Sequence, residues 1–246
     1  MKSTARGADI PARLLALLRN AYGPELAADQ LTLLNAGKYG NANVYRLELG
    51  QTRLLVKEFY SRPWLVRCTF GRLLVAREAR ALAALAGIAG VPGHARRLGS
   101  AALAESFVAG ETLVDLHRKR RAKLPPAFFR DFERLVDEMH RAGYAHLDLR
   151  NPGNVICGPD GRPYVLDFQS CMRTARLPRW VRRLMEDADR SGIYKFWAKM
   201  GTEPLDTERE AFLNHFKGIR RFWIFKGYWF GKTWRNLTRR RKKSPF

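Results

Sequence analysis

Apolar positions change period several times along this chain. Over residues 9–20 they recur with helical spacing. Ile10, Leu14, Leu17 and Leu18 fall on one side, which predicts a short amphipathic helix ended by Pro24 and the polar stretch after it. From Leu31 the period falls to two. Leu31-Thr32-Leu33-Leu34, Val44 to Leu49 and Arg53 to Phe59 read as three strands. A glycine-containing turn separates the first two, and Gly50-Gln51 makes a tight hairpin between the second and third. Helical spacing returns from Leu73 to Leu85, with Leu74, Ala81, Leu82 and Leu85 as the apolar face and Gly87 as its end. Two short strands are expected around Ala95–Leu98 and Ala101–Phe107.

After Gly110 the pattern is mostly helical: Leu113–Arg121, Phe128–Arg141 following Pro125-Pro126, and several helices beyond Leu177. One hairpin interrupts it, Asn154 to Cys157 and Tyr164 to Asp167, joined by Gly158-Pro159-Asp160-Gly161. A strand-rich half with one helix, followed by a helical half with one hairpin, predicts a two-lobed α+β arrangement. The expected divisions are an amino-terminal helical extension at 1–30, a strand-rich lobe at 31–107, a helical lobe at 108–210 and a distinct segment at 211–246.

Composition narrows the class. With 46% hydrophobic and 28% charged residues in 246, the chain reads as globular rather than disordered. A formal charge of +22 predicts a polyanionic partner, nucleic acid or an anionic membrane surface, and carries no information about fold. Cys68, Cys157 and Cys171 are odd in number, far apart and in no metal-ligand spacing, so reduced thiols of a cytosolic protein are expected. The apolar stretch Leu14 to Leu18 is short and flanked by arginines, unlike a secretory signal, and no run approaches the ~18 apolar residues of a membrane span.

The candidate chemistry flanks the hairpin. His146-Leu147-Asp148-Leu149-Arg150-Asn151-Pro152-Gly153-Asn154 precedes it and Asp167-Phe168-Gln169 ends it, so two carboxylates and an amide reach the same end. Each aspartate alone reads equally well as a turn cap. Together they match what phosphoryl transfer needs: one carboxylate to orient an attacking hydroxyl, and oxygens to hold Mg²⁺ against phosphates.

These segments resemble the catalytic loop and metal-binding motif of the protein-kinase-like superfamily, in which H-x-D-L-x-x-x-x-N precedes a hairpin and D-F-G follows it. The resemblance implies a two-lobed protein-kinase-like fold with a small antiparallel-sheet amino-terminal lobe and a reduced, mostly helical carboxy-terminal lobe. It implies ATP and Mg²⁺ as cofactors, Asp148 as catalytic base, Asp167 as metal ligand and Asn154 as the second metal ligand. Asn154 lies six residues after Asp148 where the pattern has five, which leaves Asn151 as an alternative. Gln169 stands where D-F-G has glycine, against a mobile activation segment. Upstream, Lys57 and Glu78 resemble the phosphate-binding lysine and its helix glutamate. The loop from Gly37 to Tyr45 is similar in style to that of RIO-type atypical kinases, which implies phosphate contacts from Gly37, Lys38, Gly40 and Val44. Glu105 to Leu113 resembles the adenine-binding hinge, with Ser106 and Val108 as contacts, and His146 is expected to support the catalytic loop by hydrogen bonding.

The chain beyond Gln169 holds only about 75 residues and no A-P-E-like segment, as in compact kinases of small molecules, sugars or lipids. Arg183 to Lys195 resembles the tail of bacterial lipopolysaccharide kinases that phosphorylate core heptose or 3-deoxy-octulosonic acid. That implies a glycolipid or other hydroxyl acceptor. After Glu210 there is no acidic residue. Eleven lysines and arginines instead interleave with aromatics from Phe212 to Trp234, a composition suited to an anionic headgroup layer. Phe212, Phe216 and Ile219 are read as part of a last core helix, and Phe225 onwards as membrane-facing. The expectation is an ATP-dependent phosphotransferase of a lipid-linked sugar, cytoplasmic and peripheral on the inner membrane. The alternatives are a RIO-like kinase or ATPase on ribosomal particles, for which the charge matches RNA, and a membrane-tethered pseudokinase.

Overall fold

The structure, a computed structural model, describes residues 10–37 and 40–219. Leu31–Asn35 (β1), Asn43–Leu49 (β2), Thr52–Glu58 (β3), Arg96–Arg97 (β4) and Ala102–Ser106 (β5) form an antiparallel sheet in the order β1-β2-β3-β5-β4. Strand alternation sends Tyr45, Leu47, Leu54 and Val56 into the core. The two-residue Gly50-Gln51 connection closes on the Leu49–Thr52 pair, with Gly50 at φ 56°, a conformation that favours glycine. Helix Ala12–Tyr22 (α1) adds Leu14 and Leu18 to this core.

Helix Arg72–Ala84 (α2) turns Val75, Glu78, Ala81 and Leu82 inward. It has a prologue absent from the sequence expectation: a turn at Trp64–Val66 and a π-helical stretch at Arg67–Gly71 run directly into it. Its large apolar side chains Trp64, Leu65 and Phe70 stand exposed, so no core-facing period marks the start. Gly71 lies against Phe59, whose Cβ and ring would be 2.9 Å from any added Cβ.

The carboxy-terminal half is built on helices Pro126–Arg141 (α3), Arg179–Met200 (α4) and Thr207–Ile219 (α5). Pro126 sits in the first turn of α3, where its missing N–H costs nothing. Phe128, Phe129, Phe132 and Met139 of α3 bury in one core with Ile193, Phe196 and Trp197 of α4, and the rings of Phe129 and Trp197 stack at 5.1 Å. Removing such a ring costs about 3–5 kcal/mol. The hairpin Val155–Cys157 (β8) and Pro163–Val165 (β9) is joined by Glu111–Thr112 (β6), and Tyr144–Ala145 (β7) pairs with Met172–Arg173 (β10). Between β6 and α3 the expected helix Leu113–Arg121 is a turn at Leu113–Asp115 followed by a π-helical Leu116–Arg120.

The molecule is thus α+β, with a small antiparallel sheet in the first half and helices dominating the second, compatible with two lobes. The division drawn at residue 211 falls inside α5, because Leu213 and Phe216 are buried and the Phe212 ring meets Tyr194 edge-on at 5.4 Å. The basic and aromatic positions from Arg220 to Phe246, and Lys38, lie outside the described residues. No described helix is long and apolar enough to cross a membrane.

Candidate functional site

Lys57 lies near the end of β3, paired with Val44 on one side and Leu103 on the other. Its Nζ is 2.5 Å from Glu78 Oε1 on α2 and 3.1 Å from Glu105 Oε1 on β5, and all three side chains are buried. Burial alone would lower the lysine's pKa, but Glu105, Glu78 and Asp167 outweigh it and hold it above the usual lysine range. Burial pushes Glu78 upward; Lys57 opposes this, while Glu105 and Asp167 add to it. One cation thus faces three carboxylates. The carboxylates outnumber the cation, and burial together with the other two carboxylates pushes the Glu78 carboxyl up to about 7, an imbalance that a further cation would relieve.

Glu78 also accepts the backbone N–H of Phe168 at 3.2 Å. That bond brings the segment after β9 to the helix. Asp167 is held there at φ 63°, rare for a residue with a Cβ, while Phe168 is fully buried and meets the His146 ring edge-on at 5.0 Å. Among the described residues the buried Asp167 Oδ1 has no hydrogen-bond donor.

The Asp148 side arises from the turn between β7 and β8. Asp148 Oδ2 accepts from Asn154 Nδ2 at 2.8 Å and from Asn151 Nδ2 at 3.4 Å. Burial raises the Asp148 pKa; Asn154, His146 and Asn151 pull it down, and Asp167 adds to the rise. Hydrogen bonds tie these groups together: Glu78 holds both Lys57 and the Phe168 N–H on one side of Asp167, and Asn154, which donates to Asp148, accepts the Leu166 N–H on the other. His146 is fully buried; its Nε2 lies 3.0 Å from the Leu166 carbonyl and its Nδ1 accepts the Asp148 N–H at 3.3 Å, a supporting role as expected.

The side chains fit a magnesium ion bound with phosphates. Mg²⁺ takes few protein oxygens and keeps water and phosphate ligands, and among the described residues no group of three or more His, Cys, Asp or Glu forms a dedicated metal cage. The unsatisfied Asp167 Oδ1 and the surplus negative charge are the features such an ion would relieve. Between the two asparagines, Asn154 is the closer relation of Asp167: its backbone carbonyl accepts the Leu166 N–H at 2.8 Å. Each Oδ1 accepts one hydrogen bond, that of Asn151 from the Gly153 N–H and that of Asn154 from Asn151 Nδ2, both at 3.1 Å.

The loop and hinge residues are placed differently. The Gly37 N–H is donated to Asn43 Oδ1 at 2.9 Å, and Arg62 Nη1 donates to the Gly37 carbonyl at 2.7 Å, so this glycine is latched to a side-chain network that includes the fully buried Glu58. Gly40 has open space around it, and Val44 sits opposite Lys57. Ser106 and Val108 line a cavity of about 300 Å³ with Pro92, Phe107 and Tyr164; Lys57, Asp148 and Asp167 do not line it. The Ser106 N–H is bonded to the Gly93 carbonyl at 2.8 Å.

Three contributors escape a motif reading. Glu105 completes the lysine's environment; its one signal is a charge directly after the apolar run Ala101–Ala104, on the same strand parity as the buried Leu103. Asp189, buried in α4, accepts the N–H of His146 and of Leu147, each at 2.7 Å, and lies 3.1 Å from His140 Nε2. It thereby fixes Leu147 at φ 66°, one residue before Asp148. Its signal is an acid four residues after Met185 and four before Ile193, on the buried stripe of the helix. Gly192 lets the backbone of Leu149 and Arg150 lie against α4, since a Cβ there would meet the Leu149 carbonyl at 2.8 Å. Against known proteins, no family model matches this chain and no curated protein matches it.

Proposed function

We propose that this protein transfers the γ-phosphoryl group of Mg-ATP to a hydroxyl acceptor, using a two-lobed protein-kinase-like fold. The observation that supports the reading is the chain of hydrogen bonds from Lys57 through Glu78 to Phe168, and from Leu166 through Asn154 to Asp148, on either side of an Asp167 whose buried Oδ1 has no donor among the described residues. Lys57, held by Glu78 and Glu105, would grip the α- and β-phosphates. Asp167 and Asn154 would hold the metal, which when bound neutralises phosphate charge. Asp148, its Oδ2 fixed by two amides, would orient the attacking hydroxyl and accept its proton. Ser106 and Val108 are proposed at adenine, with Gly37, Lys38, Gly40 and Val44 near the phosphates.

The acceptor we propose is a lipid-linked sugar, such as lipopolysaccharide core, reached from the cytoplasmic face of the inner membrane. The net charge of +22 and the basic aromatic positions after Glu210 support a polyanionic surface as partner. The test is incubation of the full chain with labelled Mg-ATP and lipid A–core acceptors. Transfer of label that Asp148→Ala abolishes, with nucleotide binding retained, supports the proposal; absence of nucleotide binding removes it. The same charge favours a ribosomal particle as second reading. Pelleting with ribosomes but not with anionic vesicles, and transfer to a ribosomal protein, would select a RIO-like activity. Nucleotide binding without transfer to any acceptor would select the pseudokinase.

A further inference from the structure

Five large apolar side chains stand exposed among the described residues, and four of them fall within ten positions: Trp64 at 68%, Leu65 at 58%, Phe70 at 46% and Leu73 at 53%. All belong to the helical stretch that leads into and begins α2. The π-helical turn at Arg67–Gly71 is what brings Leu65 and Phe70, five apart, towards one side, since a π turn closes on the fifth residue. Phe70 and Leu73 are three apart on the next turn.

The chain around this patch is rich in arginine. From Phe59 to Ala104 the chain carries Arg62, Arg67, Arg72, Arg77, Arg80, Arg96 and Arg97, and its one acidic residue is Glu78, which is buried against Lys57. Among the described residues none of Arg67, Arg72, Arg77 and Arg80 has an ion-pair partner. A helical stretch that offers an exposed tryptophan and leucines, with arginines that have no ion-pair partner among the described residues, has a matching chemistry in one kind of partner.

We propose that Trp64, Leu65 and Leu73 form a membrane-docking wedge that enters the headgroup layer of an anionic bilayer, with Arg67 and Arg72 against lipid phosphates. The tryptophan suits the interface and the leucines the outermost acyl carbons. Nucleic acid matches the arginines and the two rings, Trp64 and Phe70, but leaves Leu65 and Leu73 with nothing to bury against. A second copy of the chain would bring another +22 charge to the same face. The wedge is separate from the basic aromatic positions after Glu210 and does not depend on the reaction proposed above. Leu73 precedes Glu78 by five residues, about 7.5 Å along the helix axis, so docking here would bring the Lys57–Glu78 cluster close to the lipid surface.

The test uses the full chain with Cys68 and Cys157 changed to serine and Leu65→Cys carrying an environment-sensitive nitrobenzoxadiazole probe; Cys171 is buried and does not compete. Vesicles of phosphatidylcholine with phosphatidylglycerol should shift the emission to the blue and expose the probe to a lipid-soluble quencher. Vesicles of phosphatidylcholine alone should not, and neither should a probe at Glu203→Cys on another surface. Separately, the Trp64→Ser/Leu65→Ser/Leu73→Ser variant should bind the anionic vesicles about tenfold or more weakly with an unchanged melting temperature. A probe that stays water-exposed while the chain still pellets with vesicles overturns the proposal. So does a probe buried only by RNA or by self-association.

Discussion

Glu78 and Phe168, ninety positions apart, meet where the helix carboxylate accepts the backbone N–H of the residue after Asp167. The same Oε1 holds Lys57. One oxygen atom thus joins the sheet, the α2 helix and the hairpin end, and any change at Glu78 is felt at all three.

Glu78→Ala would leave Lys57 with two further carboxylates but without its closest partner, and the Phe168 N–H without an acceptor. Breaking a buried pair from one side costs about 3–5 kcal/mol. Urea denaturation should report a loss of that size, and phosphoryl transfer should fall with it.

The raised pKa of Asp148 sets a pH dependence. Burial makes the folded protein hold this proton more tightly than the unfolded chain does. The ionised form is the one that can accept a hydroxyl proton, so kcat/KM should fall as pH drops through a pKa raised above that of an ordinary aspartate. Stability runs the other way: the contribution from this group is present at low pH and lost as pH rises through the raised pKa. Asp148→Asn, which cannot ionise, should therefore lose transfer by about 100-fold or more and melt slightly higher at neutral pH.

Asp167 should make nucleotide binding magnesium-dependent. A non-hydrolysable ATP analogue with Mg²⁺, at a hundredfold excess over its dissociation constant, should stabilise the wild-type chain by about 2.7 kcal/mol. Asp167→Asn should remove the part of that stabilisation that depends on Mg²⁺. It should also raise the metal-free melting temperature, because it removes a negative charge that helps push the neighbouring Glu78 carboxyl upward. Thermal melts with and without Mg²⁺ measure both effects.

Asp189 positions the loop that carries Asp148. Asp189→Ala strands the N–H groups of His146 and Leu147 and the His140 ring, at about 1–3 kcal/mol for each buried donor. Gly192→Ala presses a methyl group onto the Leu149 carbonyl. Both variants should lower kcat while leaving the nucleotide dissociation constant unchanged, a split that a general loss of folding would not produce.

Much of the first half was readable residue by residue. Strand parity and the Gly50-Gln51 hairpin determined that β2 and β3 pair and that Lys57 ends an apolar strand, because a two-residue turn and a period of two leave one register. The order Lys57, Glu78, Asp148, Asp167 was readable too. The start of α2 was not, since a helix whose large apolar residues face outward has no core-facing period to read. Nor was the commitment of the Gly37 N–H to Asn43, which depends on the side chain of Arg62 arriving from a neighbouring loop.

By itself the chain of letters determined most of the elements, the α+β class and the four charged residues whose order and spacing suggested shared chemistry, because periodicity, turns and motif spacing are written along the chain. Tertiary structure alone decided that Glu105 joins Lys57, that Asp189 holds the Asp148 loop from forty-odd residues away, and that Asp167 has an oxygen left without a donor among the described residues. Those outcomes depend on which groups lose water together. Burial and charge pairing act through space between segments that carry no mark of each other.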